Sequence, residues 1–299
     1  MTWISFAILS AALSGIVSIF DSHLLSRRLP NLNTYLLPLG IFHGTVALLV
    51  IVFQPISTTV PLLYYLAAFG CGALSGLGSI LMLNTVRKGE ISRIIPVINT
   101  SPIFVALMAV PLLGETLHYR NWLGILLTVA GAILISLQKG SGDKKTTLQK
   151  SFFTLAFCSV MFAISSIFMK YALESLPFWN IYSINSAVLA ICFIIFSARP
   201  TTFREFKGLS QRNQVTALIV IGQAIVVVAM VLGTLSVQKG PVALASTVMG
   251  ARPAFVFLYT IVVSRLFPKV LNEPLTRNIA LLKFTAIAMI VGGVALLAL

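Results

Sequence analysis

VRKGEISRIIPVINTSPIFVAL at residues 86–107 returns 151 positions later as VQKGPVALASTVMGARPAFVFL at residues 237–258. Eight of the 22 aligned positions are identical: Val86/Val237, Lys88/Lys239, Gly89/Gly240, Val97/Val248, Pro102/Pro253, Phe104/Phe255, Val105/Val256 and Leu107/Leu258. The shared Lys-Gly break and the shared proline carry more weight than the aliphatic matches, because apolar sequence resembles itself by chance. A second alignment, offset by 148, sets residues 14–25 on residues 162–173 and repeats Ile16, Ser18, Ile19, Phe20 and Leu25. The two halves read as copies of one unit.

Working outward, the 299 residues are 58% hydrophobic and only 9% charged, whereas soluble domains carry roughly a quarter charged residues. That balance excludes a water-soluble globule, a disordered chain and a nucleic-acid module. Apolar runs fall at about 3–21, 34–53, 61–86, 91–113, 121–138, 151–172, 178–198, 215–237, 242–266 and 280–299, and a helical span needs about 20 such residues. The expected fold is an all-α integral membrane protein with ten transmembrane helices, arranged as two inverted five-helix repeats around a central cavity. Residues 1–138 form the first repeat, 139–150 (KGSGDKKTTLQK) a polar linker and 151–299 the second. A second polar stretch, residues 199–213, reads as a loop. The first run has no basic leader and no small-residue cleavage site, so it is expected to be a permanent span.

Five spans is an odd number, so the second unit must enter from the opposite side. The charges agree. Connections after odd-numbered spans hold sixteen of the 21 Lys and Arg residues, and those after even-numbered spans hold three, Arg120, Lys170 and Lys239. Two related halves with opposite charge bias fit inversion under the positive-inside rule, which taken literally places both termini outside the cytoplasm.

Charge inside a span costs at least about 2.5 kcal/mol and points to function. Arg252, ten residues into the ninth run, is the foremost candidate: a guanidinium grips carboxylate or phosphate through two parallel hydrogen bonds. Its structural alternative is a fastener on helix carbonyls. Pro253 follows it, and Pro102 occupies the equivalent position; paired helix interruptions mark a transporter's midplane site or its hinges. Further candidate substrate-binding residues are Tyr259, Asn99, His43, Gln223, Asn185 and Lys283, each of which could equally serve helix packing. Gly72 and Gly76 form a GxxxG step suited to close helix contact. The acids Asp21, Glu90, Glu115, Asp143, Glu174, Glu205 and Glu273 all read as span ends or loops, so no proton-carrying acid is apparent and a cationic solute is disfavoured. Cys71, Cys158 and Cys192 lack metal or redox spacing, no catalytic motif appears, and neither metal nor cofactor is called for.

The break Val86-Arg87-Lys88-Gly89, the proline-containing IIPVINTSPIFVALMAVPLL and the Gly114-Glu115-Thr116-Leu117 turn before WLGILLTVAGAILI closely resemble the EamA-type drug/metabolite transporter (DMT) superfamily, in its ten-span form. Asn272-Glu273-Pro274-Leu275 repeats that turn less faithfully, with Asn272 in place of glycine. The resemblance implies a basket of helices with alternating access, Glu115 and Glu273 as cap or interface residues, and cargo among amino acids, sugars, nucleotide sugars or phosphorylated metabolites. The expected function is secondary transport or exchange, such as metabolite efflux, of a small polar metabolite: an amino acid or another anionic or zwitterionic solute. The expected setting is the cell (inner) membrane, with solute and lipid as partners, no nucleic acid, and homo-oligomers allowed. The alternative is a non-transporting membrane scaffold or an intramembrane enzyme.

Overall fold

The computed structural model describes residues 2–87, 97–136, 145–266 and 277–298, and every regular element among them is helical. In chain order these are α1 (Thr2–His23), α2 (Leu32–Phe53), α3 (Leu62–Arg87), α4 (Ser101–Leu113), α5 (Tyr119–Ser136), α6 (Lys145–Ala172), α7 (Phe178–Ser197), α8 (Pro200–Lys207), α9 (Arg212–Lys239), α10 (Val242–Met249), α11 (Arg252–Leu266) and α12 (Arg277–Ala298). Among the described residues, eight segments are long and apolar enough to cross a bilayer, while Ser101–Leu113 and Tyr119–Ile135 are apolar but shorter. The chain is an integral, multi-pass membrane protein. Its outward surface carries large apolar side chains such as Leu48, Phe53, Leu62, Ile195 and Leu281, all mostly exposed, as a hydrocarbon environment requires.

Three local findings differ from the sequence reading. Helix α1 does not stop at the end of its apolar run: it continues through Asp21 to His23 and then into a five-residue π-helical stretch, Leu24–Arg28. Pro30, which restricts the residue before it to extended backbone, follows Leu29, whose ψ is 134°. Asp21 is therefore inside a helix and not at a span end. Residues 199–213 are not simply a loop, because α8 lies within them, with Pro200 in its first turn and Arg204 and Lys207 in its last. The charged stretch beginning at Lys145 is helical as the start of α6. Residues 88–96, 137–144 and 267–276, with Glu90, Arg93, Asp143 and the turn at Glu273, lie outside the described residues.

The helices pair across the two halves of the chain. Helix α5 lies along α12 and α2 along α7, while α1 runs against α9 and α3 against α6. Small residues permit the approach. A Cβ on Gly124 would lie 2.7 Å from Leu297 and one on Gly293 would lie 2.7 Å from the Gly124 carbonyl oxygen, so α5 and α12 touch nearly backbone to backbone. The GxxxG step behaves as expected: a Cβ at Gly72 would fall 2.8 Å from that of Val188, and one at Gly76 would fall 3.0 Å from that of Cys192, both on α7. Such contacts drive association where helix burial brings no hydrophobic gain. Helix α3 thus runs closely along α7, whereas α9 and α2 meet at few residues. One apolar cluster joins Ala7, Val105, Ala106, Ala109 and Val242. Another joins Leu24, Leu36, Leu83, Leu189, Val215 and Ile219.

Candidate functional site

Two spans are broken at matching places. In the first half, residues 97–98 are helical, Asn99 and Thr100 turn, and α4 restarts with Ser101 and Pro102. In the second, α10 ends at Met249, Gly250 and Ala251 turn, and α11 restarts with Arg252 and Pro253. Each proline sits in the first turn of the restarted helix, where its missing N–H has no intrahelical role to fill. The breaks also touch, since a Cβ on Gly250 would lie 3.2 Å from Pro102 Cγ. Arg252, at the first position of α11, is thereby held at the crossing of two interrupted helices.

Beside this crossing is a cavity of about 370 Å³, bounded by α1, α2, α3, α6, α7, α9, α10 and α11. That volume falls within the range of small-molecule sites. Arg252 lines it, as do His43, Gln223, Asp21, Tyr35 and serines from α1, α3 and α6. Arg252 Nε donates to Ser18 Oγ at 2.6 Å. Among the described residues no other hydrogen bond from this guanidinium is seen, so its terminal nitrogens keep their donors for the cavity. Asp21, one turn beyond Ser18, accepts a hydrogen bond from the Tyr35 hydroxyl. It acts on Arg252 through space.

His43 and Gln223 are both buried, 3% exposed, and lie close enough to interact. The imidazole sits edge-on to Phe42 and Phe193, with ring centres 6.3 and 6.2 Å away. His43 Nδ1 and Gln223 Oε1 have no hydrogen-bond partner among the described residues. A buried polar atom costs about 1–3 kcal/mol when unpaired, so this corner of the wall is ready for a polar solute.

The other candidates lie elsewhere. Tyr259 packs on Phe255 beside Gly15, in the seam between α11 and α1. Asn99 Nδ2 donates to the Ala132 carbonyl oxygen at 3.3 Å, fastening the break to α5. Lys283 is buried with its ammonium 4.7 Å from the centre of the Phe257 ring, a cation–π contact. The Asn185 backbone carbonyl meets α3 at Gly72, and its Oδ1, the Tyr182 hydroxyl and Ser186 Oγ, all on α7, are buried without hydrogen-bond partners among the described residues. Asp21, Tyr35, Ser14 and Ser18 belong to the site and were not among the sequence candidates.

Residues 1–137 match the EamA-like transporter family. The match covers the first 137 of the 299 residues. Among curated proteins, an uncharacterized transporter in the cobO 3′ region of Sinorhizobium sp. is 35% identical over 69 residues, 22% of this chain and 49% of that one. A probable 4-amino-4-deoxy-L-arabinose-phosphoundecaprenol flippase subunit, ArnF, of Aeromonas hydrophila subsp. hydrophila is 36% identical over 88 residues, 29% of this chain and 58% of that one. The chain thus spans about half the length of the curated relatives it matches. A crystal structure described only as that of a protein superimposes with a TM-score of 0.67 at 18% identity, covering 98% of this chain and 94% of the other. That likeness concerns the fold.

Within this matched stretch, the turn after α4 joins it to the second half of the chain. Gly114 ends α4 with φ 65°, a left-handed conformation that glycine adopts without penalty. The reversal brings the Glu115 carboxylate onto α10, where it accepts from the N–H groups of Val242 and Ala243 at 2.5 and 3.1 Å. Pro241 precedes them and has no side-chain acceptor of its own, so Glu115 supplies the missing cap. From the other side Lys170 donates to the carbonyl oxygens of Val237 and Gly240, both at 2.8 Å. Glu115→Ala is expected to lower stability by about 2 kcal/mol, since both capping bonds are lost. Glu115→Gln, which keeps an acceptor, should lose less. Thermal unfolding of the purified variants in detergent reads both, and equal stability for all three proteins would remove the cap from the account.

Proposed function

We propose that this chain is a secondary transporter or exchanger of a small carboxylate-bearing metabolite, an amino acid or organic acid, working by alternating access in a cell (inner) membrane. The observation that carries the reading is Arg252. It lines the cavity with one nitrogen fixed on Ser18, where a half-helix begins and the positive end of its dipole adds to the guanidinium. A carboxylate would accept the remaining donors, while His43 and Gln223 would meet the polar remainder of the solute.

Ten spans in two inverted five-helix units, 1–138 and 151–299 about a linker, account for the matched breaks at Pro102 and Pro253. They also account for the pairings. Exchanging the halves turns α1 against α9 into α6 against α3, and both contacts are extensive. A relative about half as long as this chain and named as a subunit fits a fold assembled from two such units. Among the extensive contacts of the described residues the exchange fails at one pair: α3 lies closely along α7, but its counterpart, α9, meets α2 at few residues. In the alternating-access reading these pairs are the two gates, one shut and one slack. The unpartnered polar atoms of Tyr182, Asn185 and Ser186 then belong to the route that the shut gate covers. Pro102 and Pro253 are the hinges.

Flux into sealed vesicles reconstituted with the purified protein tests the proposal. Saturable uptake of a labelled amino acid or organic acid, absent from empty vesicles, is expected. No flux across a panel of carboxylates, amino acids and sugar phosphates, in vesicles preloaded with the same solutes, would refute it.

A further inference from the structure

Among the described residues, one cation and one acid line the cavity, and their balance sets what can enter. The titratable or charged side chains among the described residues that line it are Asp21 on α1, Tyr35 and His43 on α2, and Arg252 on α11. Helices α3, α6, α7, α9 and α10 present only uncharged side chains to it. Tyr35 donates to Asp21. Arg252 is fastened to Ser18, one turn away from Asp21 on the same helix, and each charge acts on the other. Without a solute, guanidinium and carboxylate sum to zero, as an interior flanked by hydrocarbon demands.

A monoanion seated on Arg252 disturbs this balance. The site then holds one positive and two negative charges unless a proton enters with the solute. We propose that Asp21 is the proton-linked counter-charge of Arg252, so that a monocarboxylate binds together with one proton and a zwitterionic amino acid binds without one. In the first case the proton comes from bulk water and forms an O–H on the Asp21 carboxylate, which releases it to water when the anion leaves. In the second the solute's own ammonium supplies the balancing charge. Either complex is neutral, and a carrier of this kind would move a monoanion with a proton but an amino acid alone. The inference rests on Arg252 as the carboxylate anchor.

L-lactate and L-alanine have nearly the same shape and differ in hydroxyl against ammonium, so they isolate the charge. 2-Hydroxyisocaproate and leucine repeat the comparison at larger size. Calorimetric titration of the full-length protein, in two buffers of different ionisation enthalpy, counts the protons taken up. For wild type, about one proton is expected per hydroxy acid and none per amino acid. The hydroxy-acid Kd should rise about tenfold per pH unit above neutrality, with a flat amino-acid profile. Asp21→Asn should bind the hydroxy acid with no proton and no slope, whereas His43→Gln should retain proton uptake. Binding of the hydroxy acid to wild type without proton uptake overturns the inference and leaves the carboxylate site standing, a result that requires no variant to fold. Uptake that survives Asp21→Asn and vanishes in His43→Gln overturns it in favour of the histidine. Failure of both pairs to bind overturns the carboxylate site itself.

Discussion

Replacing Arg252 with glutamine is expected to weaken carboxylate binding about a hundredfold while changing the binding of an uncharged analogue by no more than about threefold. The magnitude follows from the bonds at stake. Hydrogen bonds to charged groups contribute about 1.5–3 kcal/mol each, and a carboxylate on the free edge of the guanidinium would lose at least one, together with its charge attraction in a poorly screened cavity. Glutamine keeps a donor and much of the length. The comparison of L-lactate with lactamide reads the charge alone. Equal loss for both would make Arg252 a fastener between α11 and α1 through Ser18.

The same substitution leaves Asp21 without its cation. The carboxylate then keeps only the Tyr35 hydroxyl as a partner, and a charge left uncompensated in a low-dielectric interior is destabilising. Arg252→Gln should therefore unfold at lower temperature than wild type, and Asp21→Asn combined with Arg252→Gln should recover much of that loss. Carboxylate binding should not return in the double variant. Stability and affinity thus separate, which a purely structural arginine does not allow.

How much of this was legible depended on what breaks a pattern. Arg252 stands out because a cation ten residues into an apolar run has no neighbour to explain it, and Pro102 and Pro253 stand out because they coincide after one shift. Both features sit where the helices are interrupted. Asp21 was hidden because it follows the apolar run and precedes Ser22, His23, Ser26, Arg27 and Arg28, which together look like a loop. The overlooked signal was the absence of glycine or proline between Gly15 and Pro30, so nothing stopped the helix. The facing of polar residues was not legible at all. Tyr259, Asn185 and Lys283 belong to helices that are apolar all round, since lipid and protein interior select similar side chains, and such helices do not mark an inner face. His43 and Gln223 reached the cavity wall for the same reason that Asn185 reached the α3 contact: rotation about the helix axis, which tertiary packing decides. Residues 199–213 were read by polarity alone. The alternation of Phe203 and Phe206 with Arg204 and Lys207 gives α8 an apolar and a basic side.

Under the proposed alternating access, Gly72→Leu should shift the protein between access states and cut transport to below a tenth of wild type. At present a single Cβ at that position would lie 2.8 Å from Val188 Cβ and 3.1 Å from the Asn185 carbonyl oxygen, and the second of these is backbone that cannot turn aside. Four added carbons cannot be absorbed by a rotamer change, so α3 and α7 must separate. Overpacking of this kind costs about 1–3 kcal/mol. That is small beside the stability of a many-helix bundle but comparable to the gap between two access states, and each 1.4 kcal/mol moves such an equilibrium tenfold. If α3 against α7 is the shut gate, the variant holds it open and exposes the face bearing Tyr182, Asn185 and Ser186. Ser186 is fully buried now. A cysteine placed there by Ser186→Cys, in a background where Cys71, Cys158 and Cys192 are replaced by alanine, should react with a membrane-impermeant maleimide at least tenfold faster once Gly72→Leu is added. Gly72→Ala should give an intermediate rate. Unchanged labelling with unchanged flux would mean that the two helices stay together throughout the cycle, and the gates would then have to be sought elsewhere than in the one contact that breaks the exchange of halves.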